Sequence, residues 1–303
     1  MMVFSKRHLS QWILGFLLSS LPGLYGNTSF PDNVVVIKEN VGTALLTCDT
    51  DIGDNVTWRF ERDGLIEDVE LGGEFEQVGR DLWVSEVLSP ITGQYSCWFK
   101  GKRLSSAYLL LDAEEEYSDS LISCRAKSYS CTFTCIWNQS EYTAVRLGLG
   151  RNCSEGEKTC SWVAPLPDGE FQFELAHSLS PYEEESQMIH VTAEAIIEHT
   201  FFRMTKKFYL RDIILPDSPQ KVTCQELGEN LNVSVQPASS WSTPHSYFSL
   251  DHEIEYVYKD DGKSERSASP LIPKRISRLR VRSRDPLVLS AWSQWTPWKY
   301  VTY

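Results

Sequence analysis

Residues that match parts of catalytic motifs do not add up to a catalytic site in this sequence. Asp261-Gly262-Lys263-Ser264 ends like a phosphate-binding loop, but the earlier glycine and a following helical pattern are missing. Gly148-Leu149-Gly150 lacks the third glycine of a dinucleotide-binding turn, and the chain has no Gly-x-Ser-x-Gly turn. Cys131 and Cys135 have a spacing found in zinc sites, but the six histidines show no matching metal spacing. The sequence therefore predicts a protein that is not an enzyme and needs no cofactor or metal.

The cysteines instead suggest disulfide chemistry in a secreted protein. Lys6, Arg7 and His8 precede a short apolar run at residues 12–18, which is typical of a secretory signal peptide. We expect cleavage after Gly26. Disulfides are then the default state of the eight cysteines. Four glycosylation sequons lie well inside the predicted mature chain, at Asn55, Asn138, Asn152 and Asn232.

The net charge of −12 disfavours nucleic acids and anionic membranes as main partners. Too few residues follow Trp295 to provide the roughly 20 apolar residues of a membrane span. We therefore expect a secreted, extracellular protein without a membrane span.

Short segments of alternating apolar and polar residues indicate an all-β fold. Val56 to Phe60 and Glu253 to Tyr258 are examples, whereas residues 191–197 fit a helix or a buried strand equally well. An acidic stretch at residues 112–119 and a proline-rich hinge at residues 215–219 divide the chain. The predicted organisation is a signal peptide (1–26) and three tandem β-sandwich domains (27–112, 113–215 and 216–303).

The first of these domains has an immunoglobulin pattern. Cys48 and Cys97 are 49 residues apart, Trp58 follows the first cysteine by ten, and Tyr95 precedes the second by two. This arrangement is the one needed for an inter-sheet disulfide, an indole packed against that disulfide and a tyrosine that fixes a corner of the sandwich. The spacing predicts a Cys48–Cys97 disulfide.

The other two domains resemble the fibronectin type III pair of the class I cytokine receptors. Cys124 and Cys135 are separated by ten residues and Trp137 follows, which is similar to the cysteine signature of the first domain of that pair. The resemblance implies a Cys124–Cys135 disulfide. Trp292-Ser293-Gln294-Trp295-Thr296 is similar to the Trp-Ser-x-Trp-Ser box of the second domain.

A strand before this box carries four arginines at alternate positions, so that they share one face. In the receptor family such arginines stack between the tryptophan rings of the box, and each stacked pair contributes roughly 0.5–2 kcal/mol. The predicted ladder comprises Arg278, Arg280, Arg282, Arg284, Trp292 and Trp295. Heparin binding is the alternative use of these arginines, because Lys263, Arg266, Lys274 and Arg275 lie close by in sequence.

The domain order, together with several local stretches, resembles the interleukin-12 beta-subunit family. The segment from Trp241 to Leu250 (WSTPHSYFSL) and the segment from Phe208 to Ile214 (FYLRDII) carry the resemblance most clearly. The family implies a secreted beta subunit that pairs with a four-helix alpha subunit of interleukin-12 or interleukin-23 and engages cytokine receptor chains. The immunoglobulin domain would bind the shared receptor chain.

The resemblance also implies a binding site for the alpha subunit at the elbow between the two fibronectin domains. Tyr129, Tyr247 and Phe248 would present rings there, with one of the last two placed in the core. Asp285 would offer a carboxylate to an arginine of the partner, with Glu184 nearby. Aromatic anchors around one charge pair are typical of an interface hot spot.

The cysteines depart from the family pattern. Ser180 stands where the family has the cysteine that links beta to alpha, and Leu175 stands where a partner for Cys160 is expected. We therefore pair Cys160 with Cys153. Cys131 and Cys224 are additional: Cys131 replaces the missing interchain cysteine, or the two form an intrachain bridge.

Two other functions fit the same domain content. One is a soluble cytokine receptor or decoy, as a monomer or a homodimer, and the other is an adhesive protein, for which the tryptophan box would be unnecessary. The stretch from Trp241 to Leu250 favours the cytokine subunit.

Overall fold

The structure is a computed structural model that describes residues 30–39, 42–49, 55–113, 119–139, 141–157, 159–167 and 171–301. The predicted signal peptide and residues 114–118 of the predicted linker lie outside the described residues. Strands dominate the rest and the helices are single short turns, which confirms the predicted all-β fold of tandem sandwiches. Residues 191–197, which fitted a helix or a strand, lie in a strand.

The first sandwich packs two sheets against each other. Its strands are β1 (Val34–Ile37), β2 (Thr43–Leu46), β3 (Thr57–Arg62), β4 (Leu65–Asp68), β5 (Phe75–Val78), β6 (Asp81–Ser85), β7 (Gly93–Phe99) and β8 (Lys102–Asp112), with a 3-10 turn at Ser89–Ile91. One sheet runs β4–β3–β7–β8 with β1 parallel to β8, and the other runs β2–β6–β5. β4 and β5 are edge strands on the described part of these sheets.

The core of the first sandwich is built around the Cys48–Cys97 disulfide. Trp58 is buried in the same cluster, and its indole nitrogen donates to the Arg80 carbonyl at 3.1 Å. The Tyr95 hydroxyl donates to the Ile91 carbonyl at 2.6 Å, which fastens the 3-10 turn to β7. Burial raises the pKa of Tyr95, so this hydroxyl remains a donor at neutral pH.

The second sandwich follows the same plan. Its strands are β9 (Ile122–Arg125), β10 (Thr132–Trp137), β11 (Ala144–Leu149), β12 (Trp162–Val163), β13 (Gln172–Ala176), β14 (Ile189–Ile197) and β15 (Thr200–Phe208), with helix α1 (Arg151–Ser154) and 3-10 turns at Asp119–Leu121 and Leu210–Ile213. The sheets run β12–β11–β14–β15 and β13–β10–β9.

The first and second sandwiches share a continuous sheet. β15 pairs in parallel with the end of β8, where Thr200 lies opposite Leu111 and Phe201 opposite Asp112. Phe201 is buried in a small apolar cluster with Leu110 and Ile196 beneath this junction. The pairing and the cluster together fix the angle between the two sandwiches.

The third sandwich contains the tryptophan box. Its strands are β16 (Lys221–Leu227), β17 (Asn230–Gln236), β18 (Asp251–Tyr258), β19 (Ser264–Ser267), β20 (Leu271–Pro273), β21 (Ile276–Arg284) and β22 (Lys299–Tyr300). The sheets run β16–β17–β20 and β19–β18–β21–β22.

Polar and apolar contacts hold the elbow between the second and third sandwiches. Arg125 of β9 donates to the Leu215 carbonyl at 2.9 Å and to the Asp217 carboxylate at 2.7 Å. Trp241 and Phe248, from the loop after β17, are buried in the core of the second sandwich. The boundaries placed at residues 112 and 215 remain predictions; β8 ends at Asp112 and the last 3-10 turn at Ile213.

Candidate functional site

The predicted elbow residues come together where three loops meet. Tyr129 lies in the β9–β10 connection, Tyr247 and Phe248 lie in the β17–β18 connection, and Asp285 follows β21. The rings of Tyr129 and Phe248 stack with centroids 5.4 Å apart. Trp241 packs edge-on against Tyr129 at 6.0 Å. The structure therefore brings four of the five predicted contact residues into one cluster.

Tyr129 joins the second sandwich to the third. Its hydroxyl donates to Asp285 Oδ2 at 2.7 Å. Burial, and next the hydrogen bond to Asp285, raise the pKa of Tyr129. The hydroxyl therefore stays protonated and keeps donating at neutral pH.

Asp285 is more enclosed than a freely offered carboxylate would be. Only 2% of the residue is exposed. Oδ1 accepts the backbone N–H of Leu287 at 2.7 Å, while Oδ2 accepts the Tyr129 hydroxyl. An arginine of a partner must displace the groups that cover this carboxylate, because the residue is almost fully enclosed.

Tyr247 and Phe248 have opposite environments: one is exposed and the other is buried. The resemblance implied that one of the two would lie in the core. Phe248 is 5% exposed and its carbonyl accepts the Trp241 indole N–H at 2.9 Å. Tyr247 is 53% exposed and lies edge-on to Phe248 at 4.8 Å. Phe248 thus supports the surface that Tyr247 presents.

Tyr182 belongs to this surface and was missed by the sequence argument. It is 59% exposed, and its ring lies 5.3 Å from Tyr247 and 5.7 Å from Phe248. The local sequence marks it only weakly, because its contacts are with residues more than sixty positions away. Its one signal is an aromatic residue directly before the acidic run of Glu183 to Glu185.

Glu184 is exposed beside Tyr182, whereas its neighbour Glu185 has a structural role. Glu185 accepts the backbone N–H groups of Leu210 at 2.6 Å and Arg211 at 3.2 Å, at the start of the last 3-10 turn of the second sandwich. This fixes the loop that presents Tyr182. Glu184 is left on the solvent side of that loop.

The arginine–tryptophan ladder forms, with one more ring than the sequence argument included. Arg282 lies over Trp292 and Trp295 at 4.9 and 4.5 Å, and Arg280 lies over Trp295 at 4.7 Å. Arg284 lies over Trp292, while Arg278 and Arg280 lie over Trp298. Trp298 follows Trp295 by three residues, as Trp295 follows Trp292, and this repeated spacing was the signal for the third ring.

Carboxylates of β18 pair with the same arginines. Arg282 donates to Glu253 at 2.7 Å, and Arg280 donates to Glu255 at 2.5 Å. Lys263 and Lys274 lie close to Asp261 and Glu226. Heparin binding stays a prediction, but these acidic partners offset much of the positive charge that it needs.

The serine and threonine of the tryptophan box bind the backbone of β21. Ser293 Oγ accepts the N–H of Ser283 at 2.9 Å, and Thr296 Oγ1 accepts the N–H of Val281 at 3.0 Å. Thr296 can stand in place of the usual second serine, because its hydroxyl makes the same type of hydrogen bond to the backbone.

Three disulfides are present among the described residues: Cys48–Cys97, Cys124–Cys135 and Cys153–Cys160. Cys131 and Cys224 are free thiols, so the intrachain bridge considered between them does not form. Cys224 lies half-buried on β16 against the core of the third sandwich, whereas Cys131 is exposed before β10.

The four sequon asparagines differ in accessibility. Asn55 and Asn138 are exposed. Asn152 is half-buried, with its side-chain N–H donating to the Thr159 carbonyl at 3.0 Å. Asn232 lies half-buried on β17 between β16 and β20. Glycosylation of these sites stays a prediction.

Within the described ranges, no group of three or more His, Cys, Asp or Glu residues could hold a metal ion. Across the same ranges, no helix is long and apolar enough to cross a membrane.

Comparison with known proteins gives consistent matches. The family model described as cytokine interleukin-12p40 C-terminus matches residues 119–197. The chain is 28% identical to interleukin-12 subunit beta of Bos taurus over 286 residues, which covers 84% of this chain and 85% of that protein. The human protein of that name is 28% identical over 285 residues (83% and 84%), and the protein of Lama glama is 29% identical over 290 residues (84% and 85%). The resemblance inferred from the residues is therefore confirmed over most of the chain.

Proposed function

We propose that this relative of interleukin-12 subunit beta is the secreted beta subunit of a heterodimeric cytokine of the interleukin-12 or interleukin-23 type. It has no enzymatic role. It binds a four-helix alpha subunit at the elbow between the second and third sandwiches, and the pair engages cytokine receptors on immune cells.

The exposed aromatic surface at the elbow carries this proposal. Two tyrosines, Tyr182 and Tyr247, are each more than half exposed yet pack against each other and against buried Phe248. Exposed aromatic rings on a rigid support are typical of interface hot spots, because they bury a large area at little entropic cost. The Tyr129–Asp285 hydrogen bond holds this support in place across the elbow.

Each predicted contact residue then has a role. Tyr247 contacts the alpha subunit directly, and Phe248 and Tyr129 form the floor beneath it. Glu184 provides a carboxylate at the rim. Asp285 pairs with an arginine of the partner that displaces the groups covering its carboxylate.

Cys131 replaces the missing interchain cysteine in this proposal. Its thiol is exposed, and its carbonyl accepts the N–H of His177 at 2.8 Å, at the start of the loop that contains Ser180 and Tyr182. Cys131 thus borders the proposed contact surface. A Cys131→Ser chain should form a heterodimer that separates in denaturant without reductant; a reduction-sensitive heterodimer from this variant would exclude the role.

Co-secretion tests the proposed function. The chain is expressed alone and with interleukin-12 and interleukin-23 alpha subunits, and the native mass of the secreted product is measured before and after reduction. A one-to-one complex supports the cytokine subunit. Secretion of this chain alone, beside folded but unbound alpha subunits, would instead favour the soluble receptor or homodimer.

A further inference from the structure

The two sheets of the third sandwich have different outer surfaces. The sheet that contains β18 and β21 carries the arginine ladder and its carboxylate partners. We define the outer face as the solvent side of the other sheet, β16–β17–β20. Leu231, Val233 and Ile272 are buried in the core, so the even-numbered residues of β17, the odd-numbered residues of β16 and the odd-numbered residues of β20 lie on the outer face.

The outer face has almost no charge. Four positions of β16, four of β17 and two of β20 share this orientation in these fully described strands, and among these ten only Lys221 is charged. Glu226 has the opposite orientation and pairs with Lys274. Charged side chains, which keep most protein surfaces soluble, are therefore sparse on the outer face.

The two large aliphatic side chains of the outer face border Asn232. Leu271 is 45% exposed and lies directly opposite Asn232. Leu227 is 60% exposed and lies two residues beyond Gln225, the other direct partner of Asn232. Directly opposite side chains are about 5 Å apart and diagonal ones about 7–8 Å apart. A group attached to Asn232 can therefore reach both leucines.

Asn232 differs from the other sequon asparagines in its position. It lies within the central strand of a sheet, whereas Asn55 and Asn138 lie just outside strands and Asn152 lies in α1. The Asn138 and Asn152 side chains donate to backbone carbonyls at 2.7 and 3.0 Å. Among the described residues, no hydrogen bond engages the side-chain amide of Asn232.

We propose that an N-linked glycan on Asn232 forms the outer layer of this sheet, with its first sugar packed on Leu227 and Leu271. The C–H groups of a sugar ring can contact aliphatic side chains while its hydroxyl groups remain in water. The glycan would thus cover the exposed leucines and supply the polarity that the outer face lacks. This role is independent of the elbow, because no elbow residue lies on the outer face.

The position of the sequon favours a glycan over a protein as the occupant. A bulky glycan at the centre of the outer face would keep a second copy, or another protein, away from both leucines. Half-burial of Asn232 in the finished sheet is compatible with modification, because the glycan is transferred in the secretory pathway before the sheet has folded.

The test uses the complete chain, secreted from cells that make oligomannose glycans. Glycopeptide mass spectrometry measures the occupancy of Asn232, light scattering measures self-association, and thermal unfolding measures stability. Asn232→Gln and Ser234→Ala remove the sequon in two different ways. Ser234→Thr is the matched control, because it changes the same position and keeps the sequon.

We expect Asn232 to be occupied in the secreted wild type. Asn232→Gln and Ser234→Ala should self-associate at roughly tenfold lower concentration and unfold roughly 2–4 °C lower, whereas Ser234→Thr should match the wild type. Leu227→Thr combined with Leu271→Thr should restore the monomer in the Asn232→Gln chain. Endoglycosidase H, which leaves only the first sugar, should not change the self-association of the wild type.

An unmodified Asn232 in the secreted chain would overturn the proposal, and burial of the outer face in a dimer would then identify a second copy as the occupant. Wild-type self-association and thermal midpoints in both glycan-free variants would overturn the role of the glycan. Should neither variant be secreted, the trimmed wild type decides: its self-association would contradict the packing of the first sugar on the leucines, and its unchanged mass would support it.

Discussion

At the scale of single residues, Asp285 has two separable roles. Within the chain it accepts hydrogen bonds from Tyr129 and from the backbone of Leu287, and in the proposed complex it pairs with an arginine. Asp285→Asn keeps an acceptor and loses the charge, so the unfolding free energy should change by less than about 1 kcal/mol while alpha-subunit affinity falls at least tenfold. Asp285→Ala should lose both the acceptor and the charge. We therefore expect its unfolding free energy to fall by roughly 1–3 kcal/mol in addition to the loss of affinity. Thermal unfolding and titration with the alpha subunit measure the two effects. Wild-type affinity in the asparagine variant would show that the carboxylate acts only within this chain.

Gly148 is required by the Cys153–Cys160 disulfide. A Cβ atom at this position would lie 2.6 Å from Cys153 Sγ and 2.7 Å from Cys160 Sγ. Gly148→Ala should therefore cost roughly 1–3 kcal/mol of stability through overpacking, measured by chemical unfolding. The cost should shrink when both cysteines are replaced by alanine, because the sulfur atoms are then absent. An equal cost with and without the sulfurs would point to a different cause.

At the scale of elements, the ladder depends on β21 presenting one arginine between successive rings. Arg280 lies over Trp295 and Trp298 and pairs with Glu255. Arg280→Ala should lower the unfolding free energy of the third sandwich by about 1–3 kcal/mol, because it removes stacking and leaves Glu255 poorly paired. Exposed Arg275 is the matched control, and its alanine variant should unfold like the wild type. Similar thermal midpoints for both variants would contradict the role of the ladder.

The ladder also shows what alternation in a sequence can predict. A period of two places the arginines on one face, and the structure has them there. The carboxylates opposite them were not predicted, because the pairing of β18 with β21 joins residues about thirty positions apart. Tyr182 escaped prediction for the same reason: its loop is placed by Glu185 and the 3-10 turn, not by its own neighbours. Periodicity defines faces, whereas long-range pairing decides which faces meet.

At the scale of the whole molecule, the first two sandwiches are joined by strand pairing as well as by a linker. The N–H of Ala113 donates to the Phe201 carbonyl at 2.9 Å, and the Phe201 ring fills the cluster below. Composition predicted an acidic linker here and did not indicate a shared sheet, because the sequence of an edge strand does not show whether it pairs with another strand.

Phe201→Ala should loosen this junction. Loss of the buried ring leaves a cavity that costs roughly 3–5 kcal/mol in a packed core. Small-angle X-ray scattering should then show a broader range of distances between the first two sandwiches. Phe202→Ala is the control, because the neighbouring ring lies in the core of the second sandwich instead. It should lower the thermal midpoint without widening the distances at room temperature. Unchanged scattering for Phe201→Ala would mean that the strand pairing alone holds the junction.

The central claim is that a helical alpha subunit binds the aromatic surface of the elbow. The most direct measurement is the affinity of the secreted chain for the alpha subunit, with Tyr182→Ala combined with Tyr247→Ala compared with Tyr300→Ala. Tyr300 is 68% exposed and pairs with Arg278, seven residues before Asp285 and therefore about 23 Å from it at roughly 3.3 Å per residue. We predict a loss of at least a hundredfold for the elbow pair, as expected for two hot-spot residues, and no change for Tyr300→Ala. Equal affinity for the wild type and the elbow pair would contradict the claim.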